Sequence, residues 1–123
     1  MSARKILLVD DSSTMLLLEQ MVLDSAGAQI LMAKDGEAGV RAARAHRPDL
    51  ILLDAILPKR DASEICRQLR AHAATRDVPI LLVIPRGEEK NVERGLLSGC
   101  NGSIIKPIDN NELLSRVRSL LGD

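Results

Sequence analysis

Three stretches of four or more residues in this chain consist of Ile, Leu and Val alone: Ile6-Leu7-Leu8-Val9, Leu50-Ile51-Leu52-Leu53 and Ile80-Leu81-Leu82-Val83-Ile84. Successive side chains of a strand point to opposite faces, so a strand with one wet face alternates apolar and polar residues. Unbroken apolar runs of this length read instead as strands buried on both faces, which belong to parallel sheets covered by helices. In open parallel sheets the chemistry gathers just beyond the carboxyl ends of the strands. The central run leads straight into Asp54, which therefore stands where such a sheet would carry a functional group.

The rest of the chain alternates around these runs. Asp10-Asp11 close the first, and Ser12 or Ser13 can cap a helix in which Met15, Leu18, Val22 and Ala26 keep helical spacing up to Gly27. Leu16, Leu17 and Met21 fall outside that stripe, as either core or a contact surface. A second strand near Gln29 to Ala33 precedes a helix from Asp35 to Ala45, with Ala38, Ala42 and Ala45 on one face and Pro48 as its stop. A helix from about Ser63 to His72 buries Ile65, Cys66 and Leu69. Glu88 to Ser98 reads as a weaker helix, since Gly95 costs about 1 kcal/mol against Ala in a helix interior. A short fifth strand at Gly102 to Ile105 and a last helix from Asn110 to Leu121 complete the chain. Five strands alternating with five helices predict an α/β fold: a doubly wound, five-stranded parallel sheet with helices on both faces.

At 123 residues the chain is expected to be one domain, 1–123, with no second domain in this chain. Its 17 basic and 17 acidic residues cancel, which argues against direct nucleic-acid binding and against a polybasic membrane patch. No apolar run approaches membrane-spanning length, so a cytoplasmic location is expected. Cys66 and Cys100 lack metal-ligand spacing and are expected to be small buried hydrophobes in a reducing compartment. Phe, Tyr and Trp are absent altogether.

On the predicted frame, Asp10 and Asp11 end strand one, Asp54 ends strand three, and Lys106 ends strand five just before Pro107. These strand ends converge at the topological switch point, so three carboxylates and an ammonium would share one concavity. Clustered carboxylates repel and raise one another's pKa unless a cation joins them, and hard oxygen ligands in a hydrated cluster suit Mg²⁺. A lysine beside them is a natural partner for a phosphoryl group. The constellation suggests Asp54 as a nucleophile toward phosphorus, with metal and Lys106 neutralising charge. Asp61 and Asp109 read as ordinary loop or cap residues, and His46 and His72 as surface histidines.

With Ile6-Leu7-Leu8-Val9-Asp10-Asp11-Ser12, the segment Asp54-Ala55-Ile56-Leu57-Pro58 followed by Asp61, and Ser98-Gly99 leading to Lys106-Pro107, nearly the whole chain resembles the receiver domain of two-component response regulators. The resemblance implies a flavodoxin-like (CheY-like) sheet of strand order 2-1-3-4-5. It implies that Asp54 accepts a phosphoryl group from a histidine kinase or phosphotransfer protein. It further implies that Asp11, Asp54 and the Ile56 carbonyl hold Mg²⁺, with Asp10 acting through water, and that Lys106 contacts the phosphoryl oxygens. The output would be protein contacts with a downstream target, a second copy of the chain being a candidate partner. Such a module is not an enzyme beyond its own phosphoryl transfer and dephosphorylation.

Several positions depart from the family pattern. Ile84 stands where receivers carry a Ser or Thr that follows the phosphoryl group, and Ser103 where they carry a switch aromatic. A phosphoryl oxygen would lose a charge-assisted hydrogen bond at Ile84, on the order of 1.5–3 kcal/mol. Ala62 replaces a usual Gly, which predicts a different φ in that turn, and Arg86 is a loop arginine that could reach the phosphoryl group or lie in solvent. Ile84 and Ser103 define an alternative, a pseudo-receiver that binds proteins without control by phosphorylation. Two enzyme readings on the same frame fare badly: Asp10-Asp11 would repel a flavin phosphate, and Ile56 stands where a haloacid-dehalogenase-type hydrolase needs a second Asp.

Overall fold

In a computed structural model that describes residues 3–122, the buried runs form the expected strands. They are β1 (Lys5–Val9), β2 (Gln29–Ala33), β3 (Leu50–Asp54), β4 (Ile80–Ile84) and β5 (Gly102–Ile105). All pairings are parallel and the order is β2-β1-β3-β4-β5. The helices between and after them are α1 (Ser13–Asp24), α2 (Gly36–His46), α3 (Ala62–Ala71), α4 (Asn91–Leu97) and α5 (Asn110–Leu121). The sheet reverses its direction of growth between β1 and β3, whose register sets Val9 beside Leu53. The residues that follow, Asp10 and Asp54, are therefore neighbours across the switch point.

Strand alternation divides the core into two layers. Leu7, Val9, Ile51, Leu53, Ile80, Leu82 and Ile84 meet Val40, Ala43, Ile65, Cys66 and Leu69 of α2 and α3 on one side. Ile6, Leu8, Leu50, Leu52, Leu81 and Val83 meet Leu16 and Leu23 of α1 and Leu113 and Val117 of α5 on the other. Each central strand is buried on both faces, as its apolar run requires.

The helix ends follow local chemistry. Ser12, Asp35, Asp61 and Asp109 each accept a backbone N–H of the first turn of α1, α2, α3 and α5. α4 has no side-chain cap and begins at Asn91 rather than Glu88, because the preceding residues are taken up by turns around Gly87, whose φ is +95.

Two helix faces differ from the sequence reading. In α1 the buried residues are Leu16, Glu19 and Leu23, while Leu17, Leu18 and Met21 are all more than half exposed. The helix is apolar nearly all round, so spacing alone selected the wrong stripe. In α2 the buried face is Gly36, Gly39, Val40 and Ala43, with Ala45 exposed. Its glycines are there for close approach, since a Cβ on Gly39 would lie 2.9 and 3.1 Å from the two γ carbons of Val9.

Helix propensity alone would make Gly39→Ala stabilising by roughly 0.5–1 kcal/mol. Val9 is β-branched and cannot swing aside, so overpacking should dominate and Gly39→Ala should cost roughly 1–3 kcal/mol. Urea denaturation checks this, with a lower midpoint at unchanged slope as the expected result.

Candidate functional site

Asp54 is the last residue of β3 and Asp10 the first after β1, and both are buried, at 4% and 2% exposure. Each carboxylate divides its two oxygens between two tasks. Oδ1 of Asp10 accepts the backbone N–H of Ser12 at 2.9 Å, and Oδ1 of Asp54 accepts that of Ile56 at 3.1 Å. These short Asx turns fix the side chains. The Oδ2 atoms then face Lys106, whose Nζ lies 3.7 Å from each. At that separation the contacts are electrostatic rather than hydrogen bonds.

Lys106 is held from the other side of the sheet. Its backbone N–H donates to the Ile84 carbonyl at 2.8 Å, continuing the β4–β5 ladder, and the following Lys106–Pro107 peptide is cis. Asp11, exposed at the rim, completes a cluster in which one oxygen from each of Asp10, Asp11 and Asp54 lies within 4.8 Å of the others. The residues expected to meet at one strand edge do so.

The electrostatics favour a cation. Burial, reinforced by the Asp10 charge, raises the Asp54 carboxyl to about 6, against the lowering influence of the Ile56 N–H and Lys106. Oδ2 of Asp10 is buried without a hydrogen-bond partner, one of two such side-chain oxygens among the described residues. An orphaned buried carboxylate oxygen beside two further carboxylates fits a hard divalent ion, and the all-oxygen donor set suits Mg²⁺.

The second orphan, Oε1 of Glu19, belongs to a residue that sequence reasoning passed over. Glu19 is 2% exposed on the inner face of α1, and burial followed by the Asp10 charge raises its carboxyl to about 7, with Lys106 opposing. A glutamate at helical spacing between Leu16 and Leu23 was the available signal, because that spacing places it on the same face as both.

Ile84 is fully buried in the layer under α3 and α4 and brings no donor to the cluster. Ser103 is half-buried opposite Leu82, in the middle of β5. Ile56 is 50% exposed beside Asp54, an apolar residue at the rim. Arg86 is exposed in the loop after β4, where its charge acts on Glu89. Ala62 begins α3 with ordinary φ, and the positive φ of this turn falls on Lys59, at 71. Asp61 does more than cap: it accepts the Ser63 N–H and pairs with Arg94 of α4 at 3.3 Å.

Comparison with known proteins places this arrangement. The family described as "Response regulator receiver domain" matches residues 6–118. The alkaline phosphatase synthesis transcriptional regulatory protein PhoP of Bacillus subtilis (strain 168) is 37% identical over 118 residues, which are 96% of this chain and 48% of that protein. The chain thus spans about half the length of the first curated relatives it matches. Among solved structures, the chemotaxis response regulator CheY4 of Vibrio cholerae has a TM-score of 0.90 at 25% identity, covering 97% of this chain and 99% of that one. The receiver domain of sensor histidine kinase PA1611 of Pseudomonas aeruginosa PAO1 also has a TM-score of 0.90, at 30% identity over 99% of this chain and 100% of that one. That structure has a magnesium ion coordinated in its active site cleft.

Two measurements probe the electrostatics. The folded state holds the Asp54 proton more tightly than the unfolded chain, so in the absence of metal this group's contribution to stability falls as pH rises from about 3.8 through about 6. Mg²⁺ should raise the melting temperature at about pH 7.5, and much less at about pH 5 where protons compete for the carboxylate. In Asp54→Asn the Mg²⁺ response should be lost; an undiminished response would remove Asp54 from the binding set. For Glu19 the same sign applies between about 4.5 and about 7. Glu19→Leu should therefore stabilise the fold by roughly 1–3 kcal/mol at about pH 8 and by less at about pH 5, as read by urea titration.

Proposed function

The chain belongs to the family of response regulator receiver domains, the receivers of two-component phosphorelays, and from that premise we propose that Asp54 is its phosphoryl acceptor. The observation that carries this reading is the geometry around Lys106, whose ammonium stands 3.7 Å from Oδ2 of both Asp54 and Asp10. A carboxyl titrating at about 6 is mainly ionised at neutral pH and is available as a nucleophile. An Asp54 oxygen attacks the phosphorus of a phosphohistidine, the new O–P bond forms as the N–P bond breaks, and the imidazole leaves to take up a proton. Lys106 stays within reach of the added charge and balances it.

Asp11, Asp54 and the Ile56 carbonyl would hold Mg²⁺ directly, and Asp10 through water. When bound, the ion supplies positive charge against the negative charge gathering on the transferred phosphoryl oxygens. Oδ2 of Asp10, buried with the Lys106 charge 3.7 Å away but with no hydrogen-bond partner, supports this assignment. The phosphodonor is a histidine kinase or a phosphotransfer protein, and the output is a contact with a downstream protein or a second copy of this chain. The exposed Leu17, Leu18 and Met21 give α1 an apolar outer face suited to a protein partner. No helix among the described residues is long and apolar enough to cross a membrane.

Ile56 at the rim bears on how long the modification lasts. An apolar side chain half exposed beside Asp54 hinders a water molecule from lining up on the acyl phosphate. With acetyl phosphate and Mg²⁺, the wild type should gain one phosphoryl group by intact mass and Asp54→Asn none. The labelled protein should decay over minutes or longer, and Ile56→Asn should shorten that lifetime. Decay of the wild type within seconds would contradict the shielding role, and labelling of Asp54→Asn would move the acceptor elsewhere.

A further inference from the structure

The two cysteines, 34 positions apart, meet in the core with their Sγ atoms 2.8 Å apart. Cys66 lies on the inner face of α3 and Cys100 in the connection between α4 and β5, and neither is in a disulfide. A disulfide bond spans about 2.05 Å, so the sulfurs are within about 1 Å of bonding distance.

Their placement is held by polar contacts. Arg70, one helical turn beyond Cys66, donates from Nε and Nη2 to the Gly99 carbonyl at 3.0 and 2.8 Å. The same guanidinium donates to Oδ1 of Asn101 at 2.8 Å and to the Val78 carbonyl at 2.6 Å. The Gly99 backbone before Cys100 and the Asn101 side chain after it are thereby tied to α3, the helix that carries Cys66.

The thiols are inequivalent. Cys66 is fully enclosed, whereas Cys100 keeps 7% of its surface. Gly95 of α4 stands over Cys100, where a Cβ would lie 3.7 Å from the sulfur, and the same glycine lines a cleft of about 330 Å³ between α4 and the loop that joins β3 to α3. The lining of that cleft includes Gly95 and the neighbouring Leu82 but neither cysteine. The contact with Cys66, aided by the Arg70 charge and opposed by burial, lowers the Cys100 thiol, while the same contact and burial push Cys66 up.

We propose that Cys66 and Cys100 form a redox-active dithiol that a hydroperoxide closes into an intramolecular disulfide, fastening α3 to the connection between α4 and β5. Cys100 is the attacking sulfur and Cys66 the resolving one. The Cys100 thiolate attacks one peroxide oxygen, the O–O bond breaks, and the departing hydroxide takes a proton to leave as water. The Cys66 sulfur then attacks the resulting sulfenic sulfur, the S–O bond breaks, and the leaving hydroxyl departs as water with the Cys66 proton. Two thiols lose two electrons in all, and one hydrogen peroxide becomes two waters. A low-molecular-weight thiol reverses the bond by exchange, so in a reducing compartment the closed form is transient. The proposal does not depend on Asp54.

The test treats the full chain with hydrogen peroxide, alkylates it in denaturant and measures intact mass. The expected result is loss of both alkylation sites, a mass lower by about two hydrogens, monomeric protein on a non-reducing gel, and recovery of both thiols with dithiothreitol. Cys66→Ala should stop at a Cys100 sulfenic acid that dimedone traps, and Cys100→Ala should leave Cys66 reduced. Two alkylatable thiols after treatment, or thiol loss appearing only as cross-linked dimers, would overturn the proposal. The wild-type measurement decides the matter even if a variant fails to fold.

Discussion

The pairing of β1 with β3 in parallel register is the constraint on which the rest depends. It puts Val9 beside Leu53 and so forces the next carboxylates, Asp10 and Asp54, into one buried corner. Like charges out of water repel, and the fold tolerates them because each is pinned by its own loop and because β5 delivers Lys106 opposite. The apolar runs hold that register: a slip by one residue would exchange the two core layers along an entire strand. The tension at the rim is thus maintained by the packing beneath it, and a bound dication would relieve it.

Much of this was legible in the residues. Buried parallel strands announce themselves as unalternated apolar runs, and turn and cap chemistry bounded α2, α3 and α5 closely. The acidic corner followed from strand ends alone, since a doubly wound sheet leaves few places for them to go. Periodicity failed where it carried no contrast. α1 is apolar on almost every side, so its core face was set by packing against the sheet, and Glu19 went unnoticed inside it. The helical reading of Glu88 to Ser98 overran at its start, where turns around Gly87 take up the first residues, and it counted Gly95 only as a weakness. In fact a Cβ there would lie 2.6 Å from Cδ2 of Leu82, so the glycine lets α4 settle onto β4. The meeting of Cys66 and Cys100 had no local signature, because it arises from the contact of α3 with a segment far along the chain.

Ile84 and Ser103 show how one position can serve packing and signalling unequally. Ile84 fills the layer beneath α3 and α4, and its carbonyl accepts the Lys106 N–H, so its backbone supports the site while its side chain offers nothing to it. Ser103 leaves β5 with a small half-buried side chain where a ring would supply bulk. The chemistry proposed for Asp54 needs the acidic corner and Lys106, and neither Ile84 nor Ser103 removes a group from that corner.

α4 has seven residues, no side-chain cap and, among the described residues, one exposed ion pair, Arg94 to Asp61, anchoring its flank to α3. Helices this short draw almost nothing from their own hydrogen bonding, and an exposed pair adds about 1 kcal/mol at most. Local opening is governed by such sums, so the amide protons of α4 should be the first among the helices to exchange with solvent while the sheet remains shut. The face that α4 presents over β4 is then better regarded as a set of poses than as a single shape.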